Sequence, residues 1–189
     1  VVGVRALVPP DAFTAEILGT ERVGHGALIR KDGLVLTIGY LITEASVIWL
    51  TTNKGTVAGG TVLAYDQATG FGLVQPLGKL GVRPLERGST GSIRVGENVV
   101  VAGHGGRAHA LKGQLIDKRE FAGYWEYVLD EALFAAPAHP QWGGTALIGA
   151  DGKLLGVGSL LVEERQGERT VQGNMFVPVD LVEPILEDL

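Results

Sequence analysis

Apolar residues along this chain fall into short runs closed by turn-forming residues, not into long stretches with helical spacing. The first runs are Val1 to Leu7, Gly26 to Arg30, Leu34 to Thr37, Ser46 to Thr52, Thr56 to Tyr65 and Gly72 to Pro76. A second series follows at Asn98 to Ala102, Ala108 to Ile116, Tyr124 to Leu129, Thr145 to Ile148, Leu154 to Val162 and Met175 to Val179. Runs of this length between breaks rich in glycine, proline and aspartate read as β-strands, and Lys31-Asp32-Gly33 and Asp151-Gly152 read as tight hairpin turns. Two successive sets predict an all-β chain of two six-stranded antiparallel β-barrels. The expected limits are 1–80 for the first barrel and 81–179 for the second, joined near Gly78 to Gly91, with a short C-terminal helix over 180–189. In that last segment Asp180-Leu-Val-Glu183 has the form of a capping box leading into an amphipathic helix through Leu186, although Pro184 limits the regularity of its first turn.

Composition narrows the function classes. The 189 residues are 46% hydrophobic, enough to bury one sizeable core or two small ones, which argues against a disordered chain. The 29 glycines follow no Gly-X-Y period and fall between the apolar runs, which supports strands joined by tight turns. Lysine plus arginine balance aspartate plus glutamate at six each over residues 1–80, and stand at ten against fifteen over 81–189, so the negative excess lies in the second half. A mildly acidic chain without a basic stripe argues against nucleic acid or an anionic membrane as the main partner. There are no cysteines, so no disulfide framework or thiol nucleophile is available and redox chemistry gives no compartment. No apolar stretch approaches the roughly 18 residues of a membrane-spanning helix. Val1 opens directly on a strand-like run, so any leader or anchor is expected to have been removed or never to have existed.

The motifs are more specific. Gly24-His-Gly-Ala-Leu-Ile29, Asp32-Gly-Leu-Val-Leu-Thr37 and Tyr40-Leu-Ile follow one another in the first part, and Tyr65-Asp-Gln-Ala-Thr-Gly-Phe-Gly-Leu-Val74 comes after them. The second part carries Arg94-Val-Gly-Glu-Asn-Val-Val-Val-Ala-Gly103, Ala138-His-Pro-Gln-Trp-Gly-Gly-Thr-Ala-Leu147, Asp151-Gly-Lys-Leu-Leu-Gly-Val-Gly-Ser159 and Phe176-Val-Pro-Val. In order and content these resemble the protease domain of HtrA-type, trypsin-like serine proteases over nearly the whole chain. The resemblance implies a double β-barrel forming one protease-like domain. It also fixes where the catalytic groups would stand. The general-base histidine of Thr-x-x-His-Val-Val falls on Tyr40, the acid of Asp-x-Ala-Leu-Leu on Gly70, and the nucleophile of Asn-Pro-Gly-Asn-Ser-Gly-Gly on Trp142.

Such chemistry needs a hydroxyl nucleophile, a base that titrates near neutrality and a carboxylate to orient the base. Tyrosine, with an ordinary pKa of about 10, is a poor base at neutral pH, glycine has no side chain, and indole offers only an N–H donor. In the resembled family the oxyanion is held by backbone N–H groups at the serine and at the glycine two residues before it. That glycine falls on Pro140, which has no amide hydrogen. The resemblance with these departures predicts a catalytically inactive domain that binds a peptide or protein partner, with strand addition at an exposed sheet edge as one mode. Two alternatives stay open at this point: an active serine-type endopeptidase with a displaced site, and a histidine-lined metal-binding module. No cofactor is implied.

His25, His139, Trp142 and Ser159 are the candidate lining of the binding cleft, His25 and His139 because their motifs flank it in the resembled family. Ser159 falls on the strand that there lines the primary specificity pocket. The four histidines, at 25, 104, 109 and 139, have no His-x-x-x-His or Glu-x-x-His spacing. They are expected as surface or turn residues, with no metal site. Tyr40 and Trp142 are expected to lie against each other and fill the space of a scissile peptide. The resemblance further implies a homo-oligomer, a trimer in that family, an extracytoplasmic location such as the periplasm, and a peptide-binding PDZ domain beyond Leu189.

Overall fold

The structure, a computed structural model, describes the backbone of residues 1–123, 127–166 and 169–189, and the side chains of all of these but 164–166 and 169. The chain forms two closed antiparallel barrels. Strands β1 (Val2–Leu7), β2 (Glu21–Leu28), β3 (Val35–Ile38), β4 (Val47–Thr51), β5 (Val57–Tyr65) and β6 (Phe71–Pro76) build the first, in the order β1-β2-β3-β6-β5-β4. Strands β7 (Asn98–Ala102), β8 (Ala110–Ala122), β9 (Val128–Ala136), β10 (Ala146–Ile148), β11 (Leu154–Gln166) and β12 (Arg169–Pro178) build the second, in the order β10-β11-β12-β9-β8-β7. Among the described residues no helix is long and apolar enough to cross a membrane.

The period of two explains the first barrel. Val2, Val4 and Ala6 of β1 point inward and are buried, while Arg5 faces water beside Val23 of β2 and Trp49 of β4. All four residues of β3 are buried, because its outer face is covered as well. The turn between β2 and β3 closes through the N–H of Gly33 on the Arg30 carbonyl, with Gly33 at φ 105°, a conformation that glycine adopts without a side-chain penalty. One apolar cluster runs through both barrels, from Val2 and Leu36 to Phe134, Met175 and Val182. A smaller one around Val99, Leu115, Leu147 and Phe176 fills the rest of the second barrel.

Strand limits in the second barrel differ from the sequence reading. The run from Tyr124 to Leu129 falls partly outside the described residues, and β9 extends to Ala136 through Asp130 and Glu131. These two acids interrupt the apolar pattern but face solvent, Glu131 pairing with Lys118 of β8 at 3.1 Å. Likewise β12 begins at Arg169, well before the expected Met175, because polar residues from Thr170 to Asn174 pair with β11 in a hairpin that runs on beyond the β9 contact. The capping-box reading of Asp180 is also corrected. Its carboxylate accepts from the Thr90 N–H at 2.8 Å, a single 3-10 turn covers Val179–Val182, and helix α2 (Glu183–Glu187) follows without a side-chain cap. A short helix that the sequence did not signal, α1 (Ala15–Leu18), precedes β2.

Candidate functional site

The seam between the barrels gathers the motif positions. At the end of β3 the chain enters a 3-10 turn, Gly39–Leu41, which places Tyr40 on the rim of the first barrel. Two contacts fix that turn from below: the Gly39 N–H donates to the Gly70 carbonyl at 2.7 Å, and the buried Arg22 guanidinium donates to the carbonyls of Tyr40 and Thr43 at 2.8 and 2.9 Å. The Tyr40 side chain then crosses to the second barrel, where its hydroxyl donates to the Ser159 carbonyl at 2.8 Å. On the way it passes over Gly143, where an added Cβ would stand 2.8 Å from the hydroxyl oxygen. Burial pushes the Tyr40 phenol far above its ordinary pKa, the nearby Tyr127 adds to the rise, and a hydrogen bond from Trp142 opposes it. Tyr40 is therefore a neutral hydrogen-bonding strut at any ordinary pH.

Gly70 closes the turn between β5 and β6. There the Asp66 carboxylate accepts from the N–H and hydroxyl of Thr69 at 2.8 and 2.6 Å, and the Gly70 N–H donates to the Asp66 carbonyl at 2.8 Å. Gly70 has φ +76°, and the ring of Tyr127 from the second barrel occupies the place its Cβ would take. The Tyr127 hydroxyl is hydrogen-bonded to Ser159 Oγ, and its ring centroid lies 6.2 Å from that of Phe121. Ser159 thus receives two phenols, Tyr40 on its carbonyl and Tyr127 on its hydroxyl, and is fully buried beneath them.

The loop before β10 carries Trp142 and Pro140. It is pinned at both ends: the His139 N–H donates to Asn174 Oδ1 at 2.6 Å, and the Trp142 carbonyl accepts from the N–H and hydroxyl of Thr145 at 3.0 and 2.8 Å. Pro140 is exposed and Trp142 only partly buried. Tyr40 and Trp142 stand within reach of each other, as expected: the indole is the influence that lowers the Tyr40 pKa against the larger effect of burial. The seam over Gly70 is filled by Tyr127, a residue the sequence reading did not single out.

The histidines also depart from expectation. His25 and His139 are 4% and 3% exposed, their rings 5.7 Å apart and nearly perpendicular, where surface or turn positions were expected. The His104 N–H donates to His25 Nδ1 at 2.9 Å, so the His25 proton sits on Nε2, which has no partner of good geometry. His139 Nδ1 accepts from the Gln141 N–H at 3.1 Å, and its Nε2 faces the His109 carbonyl at 3.3 Å. Burial first, then repulsion from His139, pulls the His25 pKa down to about 4, against an attraction to the Gln141 carbonyl. The four residues form one cluster, yet among the described residues no three histidine, cysteine or acidic side chains are placed to share a metal ion.

A family model for the trypsin-like peptidase domain matches residues 24–157. The chain belongs to this family. The domain is 26% identical over 211 residues to the serine protease PepD of Mycobacterium tuberculosis, a match that takes in 98% of this chain and 45% of PepD. The chain therefore spans less than half the length of that curated relative. HtrA-type protease AlgW with tripeptide, and a variant of it also with tripeptide, share the fold at TM-score 0.75 and 14% identity, over 98% of this chain and 58% of theirs.

Within this trypsin-like peptidase domain, Tyr40, Gly70, Trp142 and Ser159 come together at one seam, while His25 and His139 lie beside it in the histidine cluster. The Gly143 carbonyl, which accepts from the His25 N–H at 2.9 Å, joins the two groups. Arg22 and Tyr127 were missed by sequence reasoning. For Tyr127 a signal existed, since a glycine at 70 leaves a volume that a large side chain from the facing barrel has to fill.

Proposed function

We propose that this trypsin-like peptidase domain is catalytically inactive and serves to bind a peptide or protein partner. The observation that carries the reading is the seam itself. At the positions that the motif resemblance assigns to the base, acid and nucleophile stand a phenol held neutral, a glycine under an aromatic ring, and an indole. Among the described residues the histidine ring nitrogens that have a partner are bonded to backbone groups and not to a serine or threonine hydroxyl, the Thr37 hydroxyl reaching only the His25 carbonyl, so no imidazole is in place to activate one. Pro140 removes one of the two oxyanion donors, a loss that typically costs roughly 100- to 1,000-fold in turnover.

Binding has a structural basis apart from catalysis. Strand β11 pairs with β10 only as far as Val157, while its pairing with β12 continues to Gln166. Among the described residues one edge of β11 beyond Ser159, whose carbonyl is taken by Tyr40, has no strand partner, and an extended peptide could add there through main-chain hydrogen bonds. The tripeptide in the AlgW structures supports a peptide as the ligand class. The test is labelling with a serine-directed fluorophosphonate together with casein cleavage. The expected result is no adduct and no cleavage near neutral pH. A stoichiometric adduct on any serine or threonine would transfer the chain to the displaced-site hydrolases.

A further inference from the structure

Tyr127 is held at the seam as a ligand is held. Its ring lies against the backbone of Gly70, which has room for it only because no Cβ is present, and Phe121 stands beside it with rings tilted by 56°. Its hydroxyl ends on Ser159 Oγ. Gly70 and Ser159 are buried, whereas Tyr127 is only partly so, and the phenol therefore stands between solvent and a buried floor. A bare Cα face, an aromatic wall and one hydroxyl at the far end together select a phenol over an aliphatic side chain, and over phenylalanine by the hydrogen bond. Ser159 also stands next to the edge of β11 that has no strand partner among the described residues.

We propose that this socket recognises a tyrosine side chain of a partner peptide, taken up in exchange with the protein's own Tyr127. The proposal rests on the peptide-binding reading above and adds the residue type that the partner must present. It assigns Ser159 Oγ as the group that distinguishes tyrosine from phenylalanine, and Tyr127 as the internal competitor that sets the threshold for binding.

The test uses the whole chain immobilised and three mixed-sequence heptapeptide pools whose central residue is fixed as tyrosine, phenylalanine or leucine. Wild type should retain the tyrosine pool best. Tyr127→Ala should retain it about tenfold better than wild type, and about fivefold better than it retains the phenylalanine pool, the ratio a single neutral hydrogen bond supports. Adding Ser159→Ala should erase the preference for tyrosine over phenylalanine. Should Tyr127→Ala fail to fold, Tyr127→Phe keeps the ring on Gly70 but frees Ser159 Oγ, and should still raise retention of the tyrosine pool severalfold without moving the leucine pool. Equal retention of the three pools by wild type and variants overturns the socket while leaving peptide binding intact. No retention of any pool by any form overturns both readings.

Discussion

Lowering the pH from 7.5 to 5.0 should destabilise the folded chain, and His25 should account for most of the loss. The folded state holds His25 neutral: burial and the neighbouring His139, His104 and His109 pull its pKa to about 4, against 6.5 in a solvated histidine. Arg5 also faces the cleft that His25, His104 and His109 line, and the lining includes no carboxylate that would favour the charged form. The unfolded chain takes up the proton below pH 6.5 and the folded one does not. Stability is therefore complete above 6.5 and lost as pH falls towards 4, the direction required when the unfolded state binds more protons. The whole interval corresponds to about 3 kcal/mol at about 1.4 kcal/mol per pH unit, of which about 2 kcal/mol has gone by pH 5. For a chain of this length that is a fall of roughly 4–8 °C in Tm. Asp32, Glu44 and Asp180 have pKa values below the ordinary carboxylate range, so their contributions are lost only at lower pH and stay out of this window. The assay is urea unfolding at several pH values for wild type and His25→Asn, whose Oδ1 can still accept from the His104 N–H. The variant should be less stable at pH 7.5 but nearly flat down to pH 5. Parallel curves for the two proteins would refute the assignment to His25.

Gly70→Ala should cost about 2–4 kcal/mol, from the left-handed backbone and the displaced Tyr127 ring. In a double-mutant cycle with Tyr127→Ala, part of that cost should vanish, and strict additivity of the two would contradict the contact. Arg22→Met should cost roughly 3 kcal/mol by chemical denaturation, because the carbonyls of Gly19, Tyr40 and Thr43 lose the buried guanidinium as donor. Trp142→Ala should cost only about 1–2 kcal/mol, below the roughly 3–5 of a fully buried tryptophan, since the indole is partly exposed. The variant Tyr40→His, Gly70→Asp, Trp142→Ser should stay inactive on casein while Tyr127 and Pro140 remain. Adding Tyr127→Ala and Pro140→Gly should then raise turnover roughly 100-fold or more, and equal rates with and without them would show that neither is the obstacle.

The barrels were legible because their inward faces obey a simple rule: wherever every second residue is apolar, as at Val2, Val4 and Ala6, the pattern marks the strand whatever the rest of the fold does. Where a strand leaves the core the rule weakens. β9 runs through Asp130 and Glu131, and β12 starts among polar residues, because these stretches are held by pairing with a neighbour and not by burial. The same distinction governs the seam. Motif order singled out residues 40, 70 and 142, and the structure brings them to one seam, each in a local turn whose own sequence is informative. What surrounds them comes from the other barrel. Tyr127 closes on Gly70 across 57 positions of sequence, and the histidine cluster joins β2 to two separate segments of the second barrel, so no local spacing could announce either. Trp142 lies between the two cases: the indole stands near Tyr40 and is only partly buried, while the volume over Gly70 is filled by Tyr127. The missing side chain at Gly70 therefore leaves no gap in the seam. Tyr127 covers Gly70 and meets the buried hydroxyl of Ser159.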